Sequence, residues 1–195
     1  MAEPSQLEML RHFAEEAFKK AAQSIRTLLG SNVKLELVSL EILPPLQSLE
    51  TIGGQDLTVA AAYSAIKGDW NGVMLFMMPL EYAGETISVL VESFLEQSEI
   101  DEELAVETYR EFANIVFGSI ATALYNKTRT KIMFSPPKVV IDSIMAILES
   151  IAIRYSMQFD ELLLFRAKIG GEKVRNATLL IIPGQGFADL FYGAA

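Results

Sequence analysis

The fold is decided by residues 104–125, LAVETYREFANIVFGSIATALY, a long stretch that contains no proline. Apolar side chains recur in it at steps of three and four, as at Tyr109, Phe112 and Val116, which is the spacing of an amphipathic helix. The acidic segment 98–103 precedes it, as favoured at a helix start. The stretch therefore predicts a long helix whose apolar face must be covered by other elements.

A second long helix is predicted for residues 6–29, and it matches the first in an ordered way. At an offset of 99 residues, Phe13-Ala14 aligns with Phe112-Ala113, Ala22 with Ala121, and Ile25 with Leu124. Further along, segments 74–79 and 178–183 are both predicted as strands that end in proline before a terminal helix. We therefore predict one domain over residues 1–195, built from an internal repeat at roughly 6–97 and 103–193.

The remaining segments alternate between strands and helices. Strands are predicted at 32–42, 57–66, 72–78, 162–169 and 178–182, with an extended segment at 131–141 around Pro136-Pro137; helices are predicted from Pro79 to about residue 95, at 142–157, and after Pro183. The expected fold is α+β, with two long helices packed on a mostly antiparallel sheet and related by a pseudo-twofold axis. Met74, Met77 and Met78 are predicted to face the core, whereas the sequence does not decide where Trp70 lies.

Composition excludes several kinds of site. The chain of 195 residues is long enough to bury a substantial core, has no cysteine, and has His12 as its single histidine. Thiol nucleophiles, cysteine zinc sites and multi-histidine metal centres are therefore excluded. The net charge of −9, from 25 acidic and 16 basic residues, disfavours nucleic acid as a partner, because such binding needs a concentrated basic surface.

The chain also lacks the features of export or membrane insertion. Charged residues are spread over the first twenty positions, which leaves no apolar signal core. The longest strictly apolar run, 73–78, is far shorter than the roughly 20 residues of a membrane helix. We expect a cytoplasmic protein with no membrane partner.

One stripe of the helix at 104–125 has an unusual composition. Steps of three and four place Glu107, Glu111, Asn114, Gly118, Ala121 and Tyr125 on one face. Gly118 in mid-helix costs about 1 kcal/mol relative to alanine. Either a partner approaches this stripe closely, or Gly118 and Ala121 let another helix of the same chain pack tightly; the periodicity alone leaves both open.

Glu111 and Asn114 are neighbours on that stripe because they lie three residues apart. A carboxylate can hold an ammonium group of a partner, while a carboxamide can donate to and accept from one water molecule and so direct its attack. A solvated glutamate beside a locally bonded asparagine is the alternative, since this spacing by itself is common.

The motif Glu111-Phe-Ala-Asn114, followed by Gly118 and Ala121, resembles the signature helix of the CheC/CheX/FliY phosphatases of bacterial and archaeal chemotaxis. Three other segments also resemble that family: the transition from helix to strand at 28–33, the stretch Ser135-Pro136-Pro137 before Asp142, and the closing segment 179–183. The likeness therefore spans nearly the whole chain. The duplicated layout and the length are more similar to the CheC type than to the shorter CheX type.

The resemblance implies a phosphatase that acts on the phospho-aspartate of a CheY-like response regulator. Asn114 would orient the hydrolytic water, and Glu111 would pair with the lysine beside the regulator's phosphorylation site. We assign partner contacts to Glu107, Gly118 and Ala121 on the same stripe. No cofactor of the chain's own is expected, because Mg²⁺ would belong to the phosphorylated regulator.

The first half departs from the family pattern. There the positions equivalent to Glu111 and Asn114 hold His12 and Glu15. A glutamate only accepts hydrogen bonds and would place negative charge beside a phosphoryl group, so we expect one competent site, in the second half. The alternative function is a non-catalytic CheC-like module that docks a response regulator, the deamidase CheD or a flagellar-switch component. CheD as a partner and the oligomeric state stay open.

Overall fold

The fold comes from a computed structural model, which describes residues 4–44, 47, 57–95, 99–156, 161–184 and 187. The described helices are α1 (Pro4–Leu29), α2 (Leu80–Leu95), α3 (Glu102–Thr128) and α4 (Ile144–Ser156). The strands are β1 (Val33–Leu43), β2 (Thr58–Gly68), β3 (Gly72–Pro79), β4 (Ile132–Phe134), β5 (Lys138–Ser143), β6 (Leu162–Gly171) and β7 (Ala177–Pro183). The α+β class and the two long helices are confirmed.

All seven strands form one sheet with the order β1-β6-β7-β3-β2-β4, and β5 pairs with β2 beside β4. Every pairing is antiparallel. In the two halves, β1 corresponds to β5, β2 to β6 and β3 to β7. Exchanging each strand for its counterpart turns the order β1-β6-β7-β3-β2-β5 into the same order read in reverse. The topology therefore has the expected twofold symmetry, centred between β3 and β7.

Apolar residues are buried on both faces of the sheet. The larger core lies under α1 and α3 and includes Phe18, Phe76 and Phe117, while the smaller core on the opposite face includes Leu75 and Leu148 of α4. Successive residues of a strand point to opposite faces of the sheet, so a strand of consecutive apolar residues is buried only if both faces are covered.

The methionines of β3 follow this alternation. Met74 and Met78 lie in the larger core and Met77 lies in the smaller one, which confirms that all three face the interior. Trp70 is also buried, and its ring meets Phe187 edge-on with centroids 4.9 Å apart. Trp70 is thus in contact with a residue far away in sequence.

The predicted boundaries need small corrections. Pro79 is the last residue of β3 rather than the first of α2, and its ladder partner is Val59 on β2. The extended segment at 131–141 divides into β4 and β5. The helix predicted after Pro183 lies outside the described residues, apart from Gly184 and Phe187. Within the described ranges, no helix combines the length and the apolar character needed to cross a membrane.

Candidate active-site helix

Both ends of α3 are capped by groups of this chain. The side chain of Asp101 accepts a hydrogen bond from the backbone N–H of Leu104 at 2.8 Å. At the other end Arg129 adopts a left-handed conformation, with φ of 62°, and its N–H donates to the carbonyl of Tyr125 at 2.8 Å. These caps satisfy backbone groups that would otherwise lack partners, so both ends of α3 are stabilised.

The buried face of α3 fixes its rotation on the sheet. The hydroxyl of Tyr109 donates to the carbonyl of Ala60 on β2 at 2.7 Å, inside the core. Phe76 of β3 packs against the rings of Tyr109 and Phe112, each with centroids 5.5 Å apart. Farther along, Phe117 contacts Phe134. With this side held, the opposite stripe must face away from the core.

Tyr109 is 1% exposed, and burial raises the pKa of its phenol well above the ordinary value. Desolvation disfavours the phenolate, so the hydroxyl stays protonated and available as a donor.

The outward stripe is where the sequence places it. Glu111, Asn114 and Gly118 are exposed, and Ala121 is half-buried. In the part of the chain that the structure describes, no hydrogen bond or ion pair involves the side chains of Glu111 or Asn114. The two polar groups therefore stand in solvent, three residues apart on a capped helix.

Glu107 differs from its neighbour Glu111 in having a partner. Its carboxylate forms an ion pair with the guanidinium of Arg110, one turn along the same helix. Arg110 was missed by the sequence analysis, although an acid and a base three residues apart are a recognisable helical pair. A partner that needed the Glu107 carboxylate would have to compete with Arg110.

Gly118 faces open space. A Cβ built at this position would meet no atom of the described residues within 4 Å. The explanation in which Gly118 lets another helix of this chain pack tightly is therefore wrong for the described residues. That a partner approaches this stripe closely stays a prediction.

A groove that the sequence analysis missed lies beside Glu107 and Glu111 of the stripe. It has a volume of about 320 Å³. Its described lining comes from α2 (Leu90 and Val91), from α3 (Leu104, Glu107, Thr108, Glu111, Phe112 and Ile115) and from Leu29 at the end of α1. Because the lining is drawn from three separate helices, no local motif reveals it.

His12 and Glu15 occupy the equivalent stripe on α1, and both are exposed. His12 Nε2 lies 3.7 Å from the carboxylate of Glu16. Glu16 also forms an ion pair with Lys127 of α3, and the Lys127 ammonium lies 5.6 Å from the ring centroid of Phe13. The two long helices are thus joined by contacts beside His12, which places α1 and α3 side by side.

No cluster of three or more acidic or imidazole side chains with metal-binding geometry occurs among the described residues. The acids at the start of α3 include the cap Asp101 and the exposed Glu102 and Glu103. Their position fits a solvated helix start, where negative charge is favourable.

Comparison with known proteins gives a consistent picture. A family model described as chemotaxis phosphatase CheX matches residues 60–158, half of the chain. The CheY-P phosphatase CheC of Bacillus subtilis (strain 168) is 26% identical over 145 residues, which cover 73% of this chain and 69% of that protein.

Two solved structures show the breadth of the fold. Thermotoga maritima FliY superposes with a TM-score of 0.72 at 14% identity, covering 98% of this chain and 96% of that one. The FliM middle domain from H. pylori superposes with a TM-score of 0.64 at 10% identity, covering 99% of this chain and all of that domain (100%). At these identities the likeness concerns the fold alone.

Proposed function

Because the chain belongs to the CheX family of chemotaxis phosphatases, we propose that it hydrolyses the phospho-aspartate of a CheY-like response regulator, using Glu111 and Asn114. A curated relative that is 26% identical is a CheY-P phosphatase. The observation that carries the proposal is the exposure of this carboxylate and carboxamide, unpartnered among the described residues, on a helix capped at both ends.

Asn114 positions the attacking water. Its carboxamide both donates and accepts, so it can hold one water oxygen toward the phosphorus, opposite the aspartyl oxygen. The new bond joins water oxygen to phosphorus as the bond to the aspartyl oxygen breaks, which leaves inorganic phosphate and a free aspartate. Such transfers depend mainly on positioning and electrostatics, so a fixed amide is sufficient without a nucleophile from this chain.

Glu111 sets the docking position. Its carboxylate pairs with the lysine that the regulator carries beside the phosphorylation site. Because Glu111 and Asn114 project from the same rigid helix, fixing the first places the second over the phosphoryl group. Mg²⁺ belongs to the regulator and is part of the substrate.

The part of the stripe that follows Asn114 leaves room for the regulator to approach α3. Gly118 carries no side chain, and a Cβ added there would meet no atom within 4 Å in the part of the chain that the structure describes. Ala121, one turn further, is small and half-buried. A regulator can therefore come close to the backbone of α3 without a steric conflict. The cytoplasm, where we place this activity, follows from the proposed substrate.

The test is phosphate release from a phosphorylated CheY-like protein in the presence of Mg²⁺. Asn114→Ala should lower kcat by about 10²-fold, which is the effect of losing a well-placed positioning group, with docking nearly unchanged. Asn114→Asp keeps the shape of the side chain but cannot donate a hydrogen bond, so it should lower kcat to the same extent. Glu111→Ala should weaken both docking and turnover. Full turnover by Asn114→Ala would refute the proposed role.

A binding module without turnover is the second candidate. The loss of the pair at His12 and Glu15 favours it. Such a module would dock a response regulator, CheD or a flagellar-switch component. Wild type that binds the phosphorylated regulator but leaves its lifetime unaltered would establish this function instead.

A further inference from the structure

We propose that the groove beside Glu111 receives a large apolar side chain of the response regulator, one that neighbours the regulator's active-site lysine. The inference rests on the proposed docking function and adds a second anchor to it. Glu111 belongs to both anchors, since its side chain lines the groove and also lies on the outward stripe.

The groove has an apolar interior, and Glu107 and Glu111 are among the residues that line it. Phe112, Leu90 and Val91 are buried and form its floor, whereas Leu104 and Ile115 are half-buried and line its sides. Thr108 and the two glutamates of the outward stripe also line the groove, but nearly all of the lining surface is apolar. An apolar lining of this kind is best matched by an apolar side chain, because a polar group would lose water without gaining a partner.

The volume is suited to one side chain rather than to a whole peptide helix. About 320 Å³ lies at the lower end of ligand-sized pockets. A single Leu, Met or Phe side chain from a loop of the partner could enter it. An anchor of this sort, surrounded by a polar rim, is the usual arrangement at the centre of a protein interface.

Charge indicates which surface supplies that side chain. Glu107 is already paired with Arg110, which leaves Glu111 as the unpaired carboxylate among the described groove residues. Glu102 and Glu103 add negative charge at the nearby start of α3. A complementary surface therefore presents an apolar side chain next to a cation, and the proposed substrate places its lysine opposite Glu111.

The first experiment separates anchoring from turnover. The double variant Leu104→Ala/Ile115→Ala shortens two groove side chains and keeps residues that favour a helix. We expect the Kd for the phosphorylated regulator and KM to rise tenfold or more, while kcat falls less than threefold. Met133→Ala removes an apolar side chain that is 70% exposed on β4 and is the matched control. It should leave Kd, KM and kcat unchanged.

A second experiment locates the occupant. Because the chain has no cysteine, Thr108→Cys provides a single thiol in the groove, to which a benzophenone maleimide is attached. Irradiation with the phosphorylated regulator should crosslink it at an apolar residue near its active-site lysine. The same probe on Met133→Cys should give no crosslink at that residue.

The outcomes distinguish this inference from the proposed function. An unchanged Kd in the double variant, with Asn114→Ala still inactive, would overturn the groove while leaving the phosphatase intact. A crosslink to a second copy of this chain would overturn it as well. Wild type that binds without turnover, with binding lost in the double variant, would support the groove and refute the phosphatase.

Discussion

Tyr109 shows how one buried side chain supports an exposed site that it does not touch. Its hydroxyl donates to the Ala60 carbonyl, and its ring packs on Phe76, so the rotation of α3 is tied to two strands. A turn of the helix about its axis would move Asn114 out of the position that the proposed reaction requires and break this buried hydrogen bond. In the proposed reaction Tyr109 is therefore a positioning residue.

Tyr109→Phe should lower the free energy of unfolding by about 1 kcal/mol at neutral pH, the usual contribution of one hydrogen bond. The pH dependence has a definite sign. The raised pKa means that the stabilisation by the neutral phenol is fully present below about pH 10 and is lost as pH rises toward the folded-state pKa. Wild type should lose up to about 1.4 kcal/mol per pH unit there relative to Tyr109→Phe.

Denaturant unfolding of both proteins at several pH values, from neutral to strongly alkaline, measures this difference. Parallel curves above pH 10 would show that Tyr109 ionises as readily in the folded chain as in the unfolded one.

At the scale of the element, α3 combines strong caps with a weak centre. Asp101 and Arg129 close its ends, while Gly118 in the middle lowers its intrinsic helical stability. A Cβ added at Gly118 would meet no atom of the described residues within 4 Å, so packing among these residues does not require a glycine there. The proposed docking supplies a reason, because it requires a flat outer surface at this position.

Gly118→Ala should raise the free energy of unfolding by about 0.5–1 kcal/mol, because alanine is the better helix former and the space is open. Gly118→Phe should instead weaken binding of the phosphorylated regulator by about tenfold or more, since a bulky ring would hold the partner away from α3.

Gly84 of α2 is the matched control for both changes, because it is exposed, helical and equally open. Gly84→Ala should stabilise the chain similarly, and Gly84→Phe should leave binding unaltered. Equal binding by Gly118→Phe and wild type would exclude this face of α3 from the interface. Thermal unfolding and titration calorimetry supply the two readouts.

At the scale of the whole molecule, a symmetric sheet carries an asymmetric pair of helices. Exchanging the halves reverses the strand order and leaves it otherwise unchanged, with β4 outside the match. The helices α1 and α3 lie side by side, joined by the ion pair between Glu16 and Lys127. The α3 stripe holds a carboxamide where the α1 stripe holds Glu15. The fold thus offers two equivalent positions, and the chemistry is proposed for one.

His12→Ala/Glu15→Ala should therefore change phosphate release less than twofold. Both side chains are exposed, so the fold should survive the change, which far-ultraviolet circular dichroism would verify. The comparison is Glu111→Ala/Asn114→Ala, which should abolish acceleration. A large loss of activity from the change on α1 would mean that the first half takes part in the reaction.

Much of the fold could be predicted because its determinants are local. The spacing of Phe112, Val116 and Ile120 specifies a helical face within a few turns, and alternation specifies the strands. Boundaries were less certain where a residue suits two structures, as with Pro79, which tolerates both the end of a strand and the start of a helix.

The outward stripe of α3, with Glu111 and Asn114 on one face, was determined by the sequence alone, since helical geometry fixes which residues share a side. Only the tertiary structure decided that Gly118 faces open space, that Trp70 is buried against Phe187, and that a groove adjoins Glu111. The reason is physical: each depends on side chains brought together from distant parts of the chain, and local periodicity carries no information about which distant elements become neighbours.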